Sequence, residues 1–492
     1  MKCFLICLCL IVLTSASNKY APKCTTDSDC KTYTSCEDKH CIHKSLIPLD
    51  GQEVGGTLCI FVLALLSNAA GIGGSTIMIA LLLLVYHFET HSAIPLAQAI
   101  IWAGALISVA LRIPNRHPTR DRPLISWDLV MHLSSLLLLG TSIGVMLNVM
   151  FPEWLILALL TLLVIYLSYK ILKRGVAAYK RETLMKKISV HPAPADTDTV
   201  EIETIEMYVN DSKDLIEENT NENKAHESHN DSKYVICELT EESTDREISG
   251  ELKAIIRSEK NIVLWGPVTI TILIFCWVVL ASFIKGDKNV NSLVGLSYCS
   301  DGYWGFLVVF YLSLLGINIW TGIYLLKRNK KLEELKYNFD ENDLRWDLHK
   351  IVKFSLISLC SGFLAGLLGV GSGLIVGPVM LSFGVRPEVS AANSSTVIVV
   401  SSSISMILYL MADMVELSYA GWFLAFVFVG AAIGLLVIRK IVVKKKRASI
   451  LIIILGLILL ISCIMIPIYG ALNIVDQNDK GDFQLGFKDY CS

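Results

Sequence analysis

The stretch GLLGVGSGLI (Gly366–Ile375) interrupts one long apolar run with glycines, and SNAAGIGGST (Ser67–Thr76) interrupts another. Gly71 and Gly73 precede Gly369 and Gly371 by the same 298 residues. Inside a bilayer, glycine opens a helix only where the freed backbone is buried in protein or lines a cavity. Two such breaks at matching places in two halves of a chain point to the ligand site of a secondary transporter.

The repeat extends beyond the glycines. Ile77, Leu83, Ser92, Ala93 and Ile100 recur at the same offset as Ile375, Leu381, Ser390, Ala391 and Ile398. Further on, GTSIG (Gly140–Gly144) returns as GAAIG (Gly430–Gly434), a pattern that reads as close helix packing through small residues. Composition agrees with a membrane protein, at 53% hydrophobic and 18% charged over 492 residues. Apolar segments lie near 54–85, 90–111, 127–149, 153–172, 262–284, 303–326, 351–384, 388–412, 419–439 and 448–470. Most approach the roughly 20 residues that cross a bilayer as a helix. The two that hold the breaks are too long for one straight crossing and too short for two. A broken helix or a re-entrant pair of half-helices fits either.

Loop charge separates these options, because Lys and Arg concentrate on cytoplasmic loops. A single crossing by the first broken segment puts Arg112–Arg122 and Lys173–Arg181 outside. A re-entrant segment puts those loops, Arg328–Lys331 and Lys440–Arg447 on the cytoplasmic side. The Pro152–Glu153 and Asp413–Glu416 turns and the tail 471–492 then fall outside. Basic and acidic loops exchange places between the halves, as inverted repeats require. The expected fold is all-α and polytopic: a first half over 51–175, a second over 351–470, and a two-helix insert over 261–327.

Residues 1–17 (MKCFLICLCLIVLTSAS) carry Lys2, an apolar core and small residues near Ala16. That is the pattern of a cleaved signal peptide, with a retained anchor as the alternative. In 18–50, Cys24, Cys30, Cys36 and Cys41 crowd into a polar stretch, which suggests two disulfides in a small extracytoplasmic knot. Zinc, helped by His40 and His43, is the rival reading, but C-x2-C pairs are missing. The topology places Cys299 and Cys491 on that same oxidising side, as a further candidate pair. Both termini are therefore expected outside the cytoplasm, on a protein of the secretory route. Residues 176–260 are acidic and poor in apolar side chains, and read as a disordered cytoplasmic linker. Within it, 182–255 is open to a cytoplasmic partner, and the sequons at Asn210 and Asn230 are kept from the lumenal machinery. Residues 328–350 read as an amphipathic cytoplasmic helix.

Candidate substrate-binding residues gather at the breaks. Gly71, Gly73, Gly74, Gly369, Gly371 and Gly373 let backbone approach a ligand closely. Ser75, Thr76, Gln98, Ser372, Asn393, Ser394, Ser395 and Thr396 add neutral donors. Half-helices beginning near Ser75 and Ser372 would aim their N-terminal dipoles at an anion. The competing readings are close helix packing for the glycines and bonds to their own backbone for the hydroxyls. His132, inside the third span, suits either proton coupling or a bond to a neighbouring helix. No paired carboxylates, nucleophile triad, metal cluster or P-loop falls in the spans, so no catalysis, cofactor or metal is expected. No basic stripe with interleaved aromatics suggests nucleic acid.

The second half, with AGLLGVGSGLIVGPVML (Ala365–Leu381) and GVRPEVSAANSSTVIVVSSSIS (Gly384–Ser405), resembles the sulfite exporter TauE/SafE family. RHPTRDRPLISWDL, LGTSIGVMLNVMFPEWL and the insert's LWGPVTITILIFCWVVL and YCSDGYW are similar to its eukaryotic branch, of plants and protists. The resemblance covers roughly 50–172 and 350–470. It implies export or uptake of small sulfur-containing anions such as sulfite or sulfonates. The chain departs from its own repeat at Pro95-Leu96-Ala97-Gln98, where the second half has Asn393-Ser394-Ser395-Thr396. The expectation is a lipid-embedded carrier of such an anion, exposing a midplane site alternately and driven by a proton or sodium gradient. The alternative is a membrane receptor or adaptor that keeps the fold without transport.

Overall fold

The computed structural model describes residues 34–37, 40–44, 46–48, 50–70, 75–190, 255, 257–335, 337, 339, 343–438, 448–479 and 486–491. The signal-peptide segment, Cys24 and Cys30 lie outside the described residues. A short hairpin of β1 (Thr34–Glu37) and β2 (His40–His43) comes first, with Cys36 opposite Cys41 in its register. The remaining regular elements described are helical. The first half holds α1 (Gly51–Ala70), α2 (Ser75–Leu84), α3 (Thr90–Arg112), α4 (Trp127–Met150) and α5 (Glu153–Val190). The insert is α6 (Trp265–Lys285) and α7 (Asp301–Glu334). The second half holds α8 (Leu348–Leu368), α9 (Gly373–Ser382), α10 (Pro387–Met411), α11 (Leu417–Ile433) and α12 (Ala448–Asp479). Ten of these helices are long and apolar enough to cross a membrane.

The repeat is visible in helix boundaries. α1 and α8 end at Ala70 and Leu368, and α2 and α9 run from Ser75 to Leu84 and from Gly373 to Ser382. Each pair of boundaries keeps the 298-residue offset. Both broken segments are hairpins. Past the end of α2, the Tyr86 hydroxyl donates to Glu53 O (2.9 Å) in the first turn of α1 and lies 2.8 Å from Thr57 Oγ1. Past the end of α9, the Phe383 ring packs 5.0 Å from Phe354 and 5.2 Å from Lys353 Nζ, near the start of α8. Each hairpin thus returns to the end it entered from. Gly369, at φ +70°, supplies the left-handed residue that ends α8.

Equivalent helices of the two halves pair antiparallel. Along α3 and α10, Trp102 Nε1 donates to Ser403 Oγ (2.8 Å), Ser108 Oγ lies 3.0 Å from Ser395 Oγ, and Arg112 Nη1 donates to Ala391 O (2.6 Å). Along α5 and α12, Asn473 Nδ2 donates to Glu153 Oε2 (2.9 Å) and Ser449 Oγ to Glu182 Oε2 (2.6 Å). Antiparallel partners of one repeat position are what a two-fold axis in the membrane plane produces. Non-equivalent helices pair in parallel, through glycine. A Cβ added to Gly140, Gly144, Gly362 or Gly366 on the α4–α8 seam would stand 2.0–2.4 Å from a facing carbonyl oxygen. On the α1–α11 seam, Gly434 would meet Leu65 O at 2.2 Å. GTSIG and GAAIG are therefore packing motifs, each set against the first helix of the other half.

Two ends emerge from the loops. At one, the Cys299–Cys491 disulfide ties the α6–α7 loop to the C-terminal residues. There Lys488 N donates to Met150 O (2.9 Å), Asn289 Nδ2 to Ala412 O (3.2 Å) and the Tyr469 hydroxyl to Phe88 O (3.2 Å). β2 closes over the same end, with the His43 ring stacked 4.1 Å from Phe88. Burial, with Asp413 nearby, pushes the Glu416 carboxyl up to about 7. The opposite end is basic: Arg116 donates to Lys260 O (2.8 Å), Arg120 to the Tyr337 hydroxyl (3.2 Å), and Arg122 and Arg328 pair with Asp343 and Asp128.

Two expectations need correction here. The linker does not begin at 176, because α5 runs on to Val190 through a stretch rich in good helix formers. Residues 328–350 are not one amphipathic helix. α7 stops at Glu334, and the described residues from Leu335 to Asp347 are non-helical. Asn and Asp crowd that stretch and favour local turns. It is held instead by Tyr337 donating to Glu259 Oε2 (2.8 Å) and Trp346 N donating to Asn329 Oδ1 (3.3 Å).

Gly362→Ala is expected to destabilise the protein by about 1–3 kcal/mol, since neither backbone on the α4–α8 seam has room to yield. Gly305→Ala on α7, where an added Cβ meets nothing within 4 Å, should be neutral or stabilising. Thermal unfolding of the two variants in detergent checks the contrast.

Candidate functional site

The second break is assembled by both halves. Ending α8 at Leu368 strands its last carbonyls, which need partners in a membrane interior. Three side chains reach them: Gln98 Nε2 donates to Ala365 O (2.6 Å), the Tyr409 hydroxyl to Gly366 O (2.5 Å) and Asn148 Nδ2 to Leu367 O (2.7 Å). Gln98 and Asn148 come from α3 and α4, Tyr409 from α10. Gln98, a candidate donor, thus spends its amide on the helix end; Asn148 and Tyr409 are partners that sequence reading missed.

The other candidates are spread along α9 and α10 and do not gather on this end. Ser372 Oγ lies 2.7 Å from Ser401 Oγ, and Asn393 Oδ1 accepts from Ser126 N (2.8 Å) at the start of α4. Thr396 bonds Ala392 O (3.0 Å) on its own helix, the local bond expected of a membrane hydroxyl. Gly369 and Gly373 serve packing as well: an added Cβ would stand 3.0 Å from Ile94 Cγ2 and 2.6 Å from Ile398 Cδ1. Among the buried polar atoms that meet no hydrogen-bond partner among the described residues are Asn393 Nδ2, Ser394 Oγ, Gln98 Oε1 and Thr76 Oγ1, with Asn148 Oδ1 and Ser402 Oγ. Such atoms cost about 1–3 kcal/mol each when left unmet. Gly71, Gly73 and Gly74 lie outside the described residues, and Ser75 is described only as the first residue of α2.

Two cavities adjoin one turn of α10. One, of about 20 Å³, room for a single water, is lined by Ser67 and Asn68 just before the first break, Met78 after it, Ser108 of α3 and Ser395 of α10. The other, of about 140 Å³, opens at the basic end and reaches Asn393. Arg112 braces the turn between them: its Nη1 donates to Ala391 O (2.6 Å) and Ser395 Oγ (2.8 Å). Sequence reading counted Arg112 as loop charge. It is instead the last residue of α3 and only 2% exposed. Nothing in the chain distinguishes an arginine that ends an apolar run and reaches water from one that turns inward.

His132 sits apart from both cavities. Its Nδ1 lies 3.1 Å from Thr321 Oγ1 of α7, and its Nε2 lies 3.1 Å from Ser355 Oγ of α8. Ser355 donates its proton to Asn318 Oδ1 (2.9 Å), and Thr321 donates to Asn318 O (2.9 Å). Asn318 Nδ2 closes the network on His132 O (3.0 Å) and Ser135 Oγ (3.1 Å).

A family model described as sulfite exporter TauE/SafE matches residues 56–196 and 262–465. This chain belongs to the sulfite exporter TauE/SafE family. Sulfite exporter TauE/SafE family protein 3 of Arabidopsis thaliana is 27% identical over 446 residues, covering 89% of this chain and 83% of the relative. Family protein 1 of the same plant is 26% identical over 460 residues, covering 92% and 90%. No solved structure matches the chain. As a TauE/SafE protein it is a multi-pass membrane protein of a transporter family, and its plant relatives agree with the eukaryotic branch. The family match includes both broken hairpins and both insert helices, and passes over 197–261.

Ser394→Ala removes a buried hydroxyl that has no protein partner. If Ser394 serves a ligand, the variant should be as stable as wild type or up to about 1 kcal/mol more so, with weakened transport. Thermal unfolding and flux measured on one preparation check both halves of that expectation.

Proposed function

We propose that this protein carries a small sulfur-containing oxyanion, of the sulfite, sulfate or sulfonate class, by alternating exposure of a site between its inverted halves. The observation that carries this reading is the set of buried polar side-chain atoms on α2, α3 and α10 that meet no hydrogen-bond partner among the described residues. Structural packing explains the glycines but leaves Asn393 Nδ2, Ser394 Oγ, Gln98 Oε1 and Thr76 Oγ1 without a purpose. All but Gln98 Oε1 are groups able to donate to an anion, and a largely neutral site both binds and releases one. The gradient of a coupled proton or sodium ion supplies the energy. In this reading the basic end faces the cytoplasm and the disulfide end, with both termini, faces outward. The cytoplasmic side then also holds the 182–255 stretch, open to a partner there.

Sulfite and sulfate flux into proteoliposomes, under imposed proton and sodium gradients, tests the reading. Wild type should transport, and a Gly371→Leu variant of unchanged stability should lose at least about 90% of the rate, because the side chain blocks backbone approach. Absence of flux of either anion in both gradients would favour the receptor or adaptor alternative.

His132 lies within hydrogen-bond distance of Thr321 on α7 and Ser355 on α8, which supports a fixed tie between α4, α7 and α8 over a coupling proton's site. His132→Gln should then cost about 1–3 kcal/mol of stability and leave the pH profile of transport unchanged. A profile that flattens in the variant would instead make His132 the coupling group.

A further inference from the structure

We infer that Lys170 and Lys173, with the Tyr166 hydroxyl, form a site on the lipid-facing side of α5 for the headgroup of an anionic phospholipid. The site lies in the leaflet at the basic end. None of the three residues lines either cavity, so its occupancy is independent of the cargo.

Depth comes first. α5 begins at Glu153, and from Trp154 to Arg181 it holds no acidic residue. Lys170 stands about 26 Å along the axis from Glu153, close to the edge of a hydrocarbon core about 30 Å thick. Just before it, Leu162 and Ile165 are exposed apolar side chains, and Tyr166 and Tyr169 are 54% and 64% exposed. The exposed side of a spanning helix meets lipid, and tyrosines there mark the headgroup level.

A lysine at this level ordinarily runs its stem out to water. These two do not. Lys170 Nζ folds back one turn and donates to the Tyr166 hydroxyl (3.0 Å), 5.2 Å from the centre of that ring. Lys173 Nζ stands 5.8 Å from the centre of the Tyr169 ring. Two ammonium groups, three residues apart and so on one face of the helix, are thus kept at the tyrosine level by neutral partners. Arg174 supplies the contrast. It donates to Pro378 O of α9 (3.3 Å) and ties two elements together.

This arrangement suits a phosphate diester with net negative charge. The Tyr166 oxygen accepts from Lys170, which leaves its own hydrogen to donate, and each ammonium has hydrogens to spare. A phosphate oxygen that reaches them gains charge-assisted bonds, while the acyl chains lie along Leu162 and Ile165. A zwitterionic headgroup brings its own cation and gains less. The equivalent helix of the other half, α12, has no Lys or Arg along its length. Its matching end lies in the opposite leaflet, so the site serves one leaflet only, as anionic lipid is distributed.

Retention of fluorescent phosphatidylserine against fluorescent phosphatidylcholine, by full-length protein in neutral detergent, tests the site. Wild type should prefer the anionic lipid, and inorganic phosphate should not displace it. Lys170→Gln/Lys173→Gln should bind phosphatidylserine about thirtyfold more weakly, at about fivefold per lysine. Tyr166→Phe should bind it about tenfold more weakly, and it decides the matter should the double variant fail to fold. Lys444→Gln/Lys445→Gln removes equal charge from the Lys440–Arg447 run and should keep wild-type binding. Wild-type retention by a folded Lys170→Gln/Lys173→Gln protein, or by Tyr166→Phe, overturns the assignment. An equal loss in Lys444→Gln/Lys445→Gln attributes retention to basic charge at large and overturns it too. Displacement by inorganic phosphate, or no preference in wild type, removes the lipid as the occupant.

Discussion

Backbone-to-backbone contact through glycine on the α4–α8 seam is the constraint on which the rest depends. In lipid, apolar side chains gain little by leaving the tails for one another, so helices associate through close approach and buried polar bonds. Gly140, Gly144, Gly362 and Gly366 supply the approach, with no room for a single added carbon. Because α4 belongs to the first half and α8 to the second, that seam locks the halves together. It also sets the second break within reach of Asn148, whose amide caps Leu367 O. Gln98 arrives from α3 to cap Ala365 O. The broken helix of the second half is thus completed by side chains of the first, and neither half makes a site alone.

The insert is bound by a different force. Its helix α7 meets α4 through a ladder of polar bonds: Arg328 to Asp128 near the basic end, Thr321 to His132 deeper in, and Asn318 to Ser135 beyond. Ser355 of α8 joins the same network. The insert therefore clasps the α4–α8 pair from outside, while the disulfide holds the loop at its other end to the C-terminal residues.

Much of this architecture was legible in the chain because it repeats. The glycine offset, read from letters, reappears in the helix ends, and loop charge anticipated that each hairpin returns to its starting side. GTSIG and GAAIG read as packing because small residues four apart have one dominant use in membranes. The rest was illegible for physical reasons. Gln98 looks the same whether its amide serves a ligand or a stranded carbonyl, and only the distance to Ala365 separates the uses. The end of α7 depended on side chains arriving from the α3–α4 loop, and α5 outran its apolar stretch because helix propensity does not stop at the membrane surface. Arg112 was read as loop charge, since burial is a property of the fold around it.

An inverted repeat with two identical sites would present the same chemistry from either side. This chain does not: the first half has Pro95-Leu96-Ala97-Gln98 where the second has Asn393-Ser394-Ser395-Thr396, and only the first has an arginine at the end of its third helix. The two departures meet on the α3–α10 seam, where Arg112 from one half lies on Ser395 from the other.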